Sequence, residues 1–294
     1  MSTTAVPLAP ANSPPASLQG TITLDSLRAL YEVEEAHLRA LVIGDKGVGK
    51  TKLLETARRP VLTYTFDPDG EQVLFEDSPT GQAVCPKWLL PITHYTKVNV
   101  STEPDGRNGQ TAMNLFARDL MSMKKSGVFS QIGTVCLDSL TTFGDALIGK
   151  TLTDARAADA KHGKTMEIRD WGTFLNECTF WLKTLLSLPC DVVILGHIQQ
   201  DKDEVTGRII NNVMLPGSGS QRAPILLSEV YYMLAEADPR AAGTAPKRVL
   251  LTGNDSYYKA STRLGRDNKF LLREEPNLMN LRKKAGLSTD HLPY

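Results

Sequence analysis

The stretch LVIGDKGVGKTKLLET, Leu41–Thr56, decides the reading of this chain. It runs apolar, then glycine-rich, then basic and helix-forming. The preceding run LRALVIG, Leu38–Gly44, is apolar without alternation, which suits a strand covered on both faces, as in a parallel sheet. Gly44, Gly49, Lys50 and Thr51 then complete the pattern G-x-x-x-x-G-K-[ST]. Glycines let the backbone turn its N–H groups inward as an anion nest, and the helix N-terminus adds its dipole. Gly44, Asp45, Lys46, Gly47, Val48 and Gly49, continuing through Lys50, Thr51 and Lys52, are therefore expected to hold the phosphates of a nucleoside triphosphate. Lys50 would face the β- and γ-phosphates, and the Thr51 hydroxyl would be a Mg²⁺ ligand, so ATP and Mg²⁺ are the expected cofactors. A chance glycine turn is the alternative, and the strand–loop–helix setting argues against it.

Working outward, a helix is predicted from Lys50 to about Arg58, stopped before Pro60. VLTYTFD (Val61–Asp67) reads as a strand, and a weaker strand falls near His94–Val100. NGQTAMNLFARDLMSMKKSG reads as an amphipathic helix ending near Gly127. IGTVCLDSL (Ile132–Leu140) and CDVVILGHI (Cys190–Ile198) are further buried strands. Between them WGTFLNECTFWLKTLLSL is a helix whose apolar face is assigned to Phe174, Phe180, Leu182 and Leu185. Strands alternating with helices predict an α/β fold with a mostly parallel central sheet flanked by crossover helices. After Ile198 the chain turns polar, with a turn at Val205–Thr206–Gly207, and a hairpin or mobile loop is read there. EVYYMLAEA, KRVLLTGN and SYYKASTRL look like late strands, with antiparallel pairing open to them. Residues 1–20, rich in Pro, Ser, Ala and Thr, cannot bury a core and are read as a disordered tail. That leaves 21–275 as the core and 276–294 as a C-terminal extension.

Composition narrows the classes. Of 294 residues, 41% are apolar and 22% charged, as in an ordinary globular protein. The formal net charge is +0, so any nucleic-acid binding must come from local patches. No apolar run reaches the roughly 18 residues needed to span a bilayer. The N-terminus lacks the basic start and apolar centre of a signal peptide, which reads as cytoplasmic, with no membrane partner. Cys85, Cys136, Cys178 and Cys190 lack CxxC spacing and read as reduced thiols.

Asp138 ends the apolar strand TVCLD, where a carboxylate can hold a Mg²⁺ shell, with a plain helix-capping Asp as the lesser alternative. With the phosphate loop, the Asp-Ser strand end of TVCLDSLTTF resembles the RecA-like P-loop NTPase core. TYTFDPDGE lies where RecA-like proteins carry a catalytic carboxylate, and VVILGHIQQ where they place a polar sensor before a DNA-binding loop. The segment YYKASTRLGRDNKFLLREEPNL is similar to the C-terminal signature of phage RecA-like proteins, a group that includes single-strand annealing ATPases of recombination. The resemblance spans about Leu38 to Leu278. It implies a homo-oligomer, ring or filament, acting on single-stranded DNA in phage recombination or replication, with a single-strand binding protein as a further partner and the host cytoplasm as its place.

The resemblance also implies roles. The base is often Glu in such proteins; here Asp67, Asp69 and Glu71 are the candidates, and Asp69, two residues beyond the strand end, has the favoured offset. Asp-Pro-Asp-Gly is at the same time strong turn chemistry. His197 is the sensor candidate, against the alternative of a core histidine. Lys259 and Arg263 are candidates for a charge supplied to a neighbouring subunit's site, against a plain solvated face.

From Lys247 to Lys284 the chain has ten Lys or Arg against four acids, a net of +6. Such a segment fits a phosphate-backbone track, with Tyr257 and Tyr258 as stacking rings, or simply a solubilising surface. Lys202, Arg208 and Arg222 add charge to the loop after His197. Two other classes compete: an NTP-gated assembly or loader protein with little hydrolysis, and a small-molecule kinase in which Thr151–Arg169, with Arg156 and Arg169, imitates a lid.

Overall fold

The computed structural model describes residues 36–67, 70–78, 82–92, 107–202, 207–237 and 245–294. The tail 1–20, the strand expected near 94–100, Val205–Thr206 and Asp69 lie outside the described residues.

The strands are β1 (Arg39–Gly44), β2 (Val61–Thr65), β3 (Glu76–Asp77), β4 (Ala83–Val84), β5 (Leu89–Ile92), β6 (Thr134–Asp138) and β7 (Asp191–Gly196). They continue with β8 (Ile198–Lys202), β9 (Ile209–Val213), β10 (Glu229–Glu236), β11 (Lys247–Leu251), β12 (Ser261–Thr262) and β13 (Arg273–Glu274). The α-helices are α1 (Arg107–Ser126), α2 (Leu140–Ala158), α3 (Ile168–Leu186), α4 (Gly219–Leu226) and α5 (Leu278–Ala285). The main sheet runs β13-β11-β10-β1-β7-β6-β2-β5, with β12 pairing β10. From β10 to β5 every pairing is parallel, while β11, β12 and β13 join antiparallel. This is the mostly parallel α/β sheet expected of a RecA-like core. Strand β7 lies between the phosphate-loop strand β1 and the Asp138 strand β6.

Alternation along the strands feeds two cores. Leu41, Ile43, Tyr64, Leu137 and Ile194 face one side and pack with Phe116, Phe143, Phe174 and Leu182 of the three long helices. Ala40, Val42, Cys136 and Val193 face the other, with Val48, Leu54, Trp88, Leu278 and Leu281. Both faces of the central strands are thus dry, which is why their sequences show no polar alternation.

Local chemistry sets the helix ends. Ser139 and Thr142 form a reciprocal capping box at the start of α2. α1 stops at Gly127, whose φ of 75° is left-handed. On α3 the buried stripe is Phe174, Cys178, Leu182 and Leu185 at helical spacing. Phe180, two positions after Cys178, falls on the opposite side and is 53% exposed, so it is not part of the apolar face.

Three expectations are revised. The helix predicted from Lys50 is a 3₁₀ helix over Thr51–Thr56. It ends where Ala57 turns extended (ψ 162°), ahead of Pro60. Of SYYKASTRL only Ser261–Thr262 is strand. The lid-like segment is the last part of α2 and its connection to α3: Arg156 donates to the Gly163 carbonyl at 3.2 Å and Arg169 lies 3.4 Å from Glu167. The hairpin after His197 is present as the antiparallel pair β8–β9.

Candidate nucleotide site

The C-terminal ends of β1, β2, β6 and β7 open into a cleft of about 780 Å³. It is lined by Lys46, Gly47, Gly49, Lys50, Thr51 and Lys52 from the phosphate loop. Asp67, Asp138, Thr142, His197 and Arg248 close the other sides. Gly47 (φ 79°) and Gly49 (φ 104°) hold left-handed backbone that side chains disfavour, which is what wraps the loop.

Lys50 is buried, and its ammonium donates to the carbonyls of Gly44 (2.8 Å) and Asp45 (2.9 Å). Its Nζ is also 3.3 Å from His197 Nδ1. Burial pulls the Lys50 amine below its ordinary range, against the opposing pull of Asp138, Asp67 and Asp45. At the floor, the Thr51 hydroxyl donates to Asp138 Oδ2 at 2.7 Å. Burial raises the Asp138 carboxyl to about 6, while the Thr51 hydrogen bond resists the rise.

Asp67, just past β2, is held from α2. Ser139 Oγ and Thr142 Oγ1 both donate to its Oδ1, at 2.9 and 2.5 Å. His197 Nε2 lies 3.5 Å from its Oδ2. Burial works to raise the Asp67 carboxyl, but contacts with His197, Thr142 and Ser139 outweigh it and leave the group below its usual range. His197 is fixed in turn by its own backbone: its N–H donates to Thr141 Oγ1 at 3.2 Å, and its carbonyl accepts from the Met214 N–H at 2.8 Å, just past β9.

The donor set suits a nucleotide-borne cation. Thr51 and Asp138 offer hard oxygens at one point, as Mg²⁺ prefers when phosphates complete its shell. Among the described residues no group of three or more His, Cys, Asp or Glu could hold a metal by itself.

The structure therefore brings Lys46, Gly47, Gly49, Lys50, Thr51, Lys52, Asp138 and His197 to one cleft, with Gly44, Asp45 and Val48 completing the loop. Lys259 and Arg263 are exposed and do not line this cleft. Thr142 and Arg248 had no sequence signal as site residues, and Ser139 was read only as part of the Asp-Ser strand end. Ser139 and Thr142 belong to a capping box, and Arg248, counted only with the basic segment, reaches the cleft from β11. That segment is also partly used by the fold. Arg273 pairs with Glu236 (2.8 Å), Lys284 with Glu274 (2.7 Å), and Arg282 with buried Asp191. Tyr258 packs on Tyr232 with centroids 5.0 Å apart, leaving Tyr257 as the exposed ring.

A parallel sheet with a glycine-wrapped loop, a buried Lys and an Asp–Thr pair at its strand ends defines a P-loop NTPase of the RecA-like class. The chain belongs to the AAA domain family, whose model matches residues 36–264. No curated protein matches the chain. Among solved structures it is similar to the RadB recombinase, at 15% identity over 74% of this chain and 80% of that one, TM-score 0.37. It is also similar to an ATPase from the type III secretion system of pathogenic bacteria, at 12% identity over 84% of this chain and 62% of that one, TM-score 0.43. A third is a KaiC-like protein of Pyrococcus horikoshii OT3, at 11% identity over 73% and 78%, TM-score 0.35. No helix among the described residues is long and apolar enough to cross a membrane.

Proposed function

We propose that the protein is a Mg²⁺-dependent ATPase that acts on single-stranded DNA, of the kind used in phage recombination or replication, strand annealing included. The observation that carries this reading is the position of His197. Its ring touches Lys50 and Asp67 in the phosphate cleft, and its carbonyl closes the base of the β8–β9 hairpin. A change at the terminal phosphate would be felt at the β8–β9 hairpin, which carries Lys202 and Arg208.

In this reading the loop backbone from Asp45 to Gly49 and the Lys50 ammonium hold the phosphates. Thr51 and Asp138 would hold Mg²⁺, which would supply neutralisation of phosphate charge. A carboxylate following β2, Asp69 by the favoured offset or else Asp67 or Glu71, takes the proton of the attacking water. Lys259 and Arg263, which do not line their own cleft, serve the site of a neighbouring copy in a ring or filament. Lys247, Lys259, Arg263, Arg266, Lys269 and Lys283 have no acid partner among the described residues and provide the phosphate-backbone track.

A second reading has its own observation. Asp67 is held by two hydroxyls and kept below the usual carboxylate range, which makes it a weak base. That favours an NTP-gated assembly or loader protein with little hydrolysis. The deciding experiment is ATP hydrolysis with and without single-stranded DNA, run beside a mass measurement. Stimulation by DNA supports the first reading; nucleotide-dependent assembly with negligible turnover supports the second. Binding of a labelled oligonucleotide should fall with salt at a log–log slope of about −3 to −4 if roughly four to six phosphates are neutralised. Absence of binding at low salt, with or without nucleotide, would refute the DNA role.

A further inference from the structure

We infer that Arg248 is a nucleotide-phosphate ligand supplied to the cleft by the same chain. The inference rests on the nucleotide reading of that cleft. Arg248 sits on β11, opposite Ala235 of β10, beyond the level at which β10 meets Gly44. Its guanidinium lies directly over the phosphate loop. A side chain built on Gly49 would begin 3.3 Å from Arg248 Nε and 3.4 Å from Cζ. The left-handed backbone is what calls for glycine at 49, and the arginine stacked above it leaves little room for a side chain there.

Three features separate Arg248 from an ordinary surface arginine. It lines the cleft together with Lys46, Lys50 and Lys52, so four cations converge on one hollow. Lys50 is tied to loop carbonyls and Lys52 pairs with Glu55, whereas Arg248 has no acid partner among the described residues. Asp67 and Asp138 are the two acids lining that cleft: Asp138 takes the Thr51 hydroxyl, and Asp67 those of Ser139 and Thr142. An unpaired planar fork of five donors above an anion nest matches phosphate oxygens. The other basic candidates, Lys259 and Arg263, would need a second copy; Arg248 needs none.

The test uses the full chain, with binding of ATP, ADP and adenosine measured by calorimetry in Mg²⁺ for the parent, R248A, R248K and K50A. R248A should weaken ATP binding about 10- to 100-fold, the worth of charge-assisted hydrogen bonds. The loss should shrink for ADP and vanish for adenosine. R248K should recover only part, because an ammonium keeps the charge and loses the fork. If R248A does not fold, R248K carries the comparison, and its ATP affinity should lie measurably below the parent's. Parent-like ATP affinity in the Arg248 variants, with binding lost in K50A, would overturn the inference and leave the nucleotide site standing. An equal loss for adenosine would overturn the phosphate contact. If K50A binds ATP like the parent, the nucleotide reading falls and takes this inference with it.

Discussion

Arg282→Met should destabilise the protein by about 3–5 kcal/mol at pH 7, and the loss should shrink to about 1 kcal/mol at pH 4. Arg282 is fully buried on α5 and pairs with Asp191, itself buried at the start of β7. The same Asp191 oxygen accepts the Leu38 N–H at 2.9 Å, so one carboxylate ties the C-terminal helix to the entries of β1 and β7. Burial already pushes the Asp191 carboxyl up, and Arg282 and the Leu38 N–H hold it back. Without the guanidinium, the buried charge keeps only the Leu38 N–H, His37 at 4.0 Å and the more distant Arg58, and its cheapest escape is to take up a proton. Doing so at pH 7, from an ordinary value near 3.9, costs about 4 kcal/mol, which sets the scale of the loss. The sign follows from linkage. The folded variant holds one more proton than the unfolded chain, so its stability falls by about 1.4 kcal/mol per pH unit as pH rises above about 4. Below that, both states are protonated and the difference narrows to the lost bond from Arg282 Nε to the Ser288 carbonyl, 2.7 Å in the parent. Urea unfolding of parent and variant from pH 4 to 7 reads this directly, and D191N/R282M should lose the added pH slope. A loss below about 1 kcal/mol at pH 7, or one independent of pH, would refute the buried-pair account.

Lys50→Ala should abolish nucleotide binding and leave far-ultraviolet circular dichroism unchanged, since the Lys50 ammonium bonds only loop carbonyls and His197. Asp67→Asn and Asp69→Asn, compared in single-turnover hydrolysis with binding retained, assign the base: the true one should lose about 100-fold or more, the other far less. Arg263→Ala should slow hydrolysis in a way that mixing with Lys50→Ala subunits partly restores; no recovery in subunits shown to exchange would argue against a role in a neighbouring site.

Strand positions were legible because both faces of β1, β6 and β7 are buried, and burial writes itself into sequence as an unbroken apolar run. The phosphate loop was legible because its chemistry is local: one turn, two left-handed glycines, a Lys and a Thr. The short 3₁₀ helix was not, since TKLLETARR has good helix propensity and nothing in it announces the extended Ala57. Nor was the environment of Asp67. Its partners come from α2, over 70 residues away in sequence, and Ser139 and Thr142 there look like a cap. They are a cap as well, and the same hydroxyls do both tasks. Arg248 was hidden for a related reason: an arginine at the start of a late strand says nothing about which loop lies beneath it. The net charge of the C-terminal segment misled in the other direction, because Arg273, Arg282 and Lys284 are paired within the fold.

The sheet order explains why the carboxylates, hydroxyls and histidine meet at all. With β7 placed between β1 and β6, the residue following β7 stands beside the phosphate loop on one side and Asp138 on the other. His197 is that residue. Had β6 paired β1 directly, a side chain leaving β7 would lie a strand further out, about 4.8 Å beyond contact with Lys50. The chain then leaves His197 straight into β8, and β9 returns to donate the Met214 N–H to the His197 carbonyl. The hairpin is also held to the core through Asn211 and Val213 of β9, but at its base the His197 carbonyl is where its two strands meet, so a displacement of the His197 ring along the Lys50–Asp67 line bears on the peptide that joins them. His197→Ala should therefore separate two properties that the parent couples: nucleotide affinity should stay close to normal, because Lys50 keeps its loop carbonyls, while the dependence of oligonucleotide binding on nucleotide should disappear. Anisotropy titrations with and without a non-hydrolysable ATP analogue measure both at once. Retention of the full nucleotide effect in the alanine variant would show that the hairpin takes its signal from another residue.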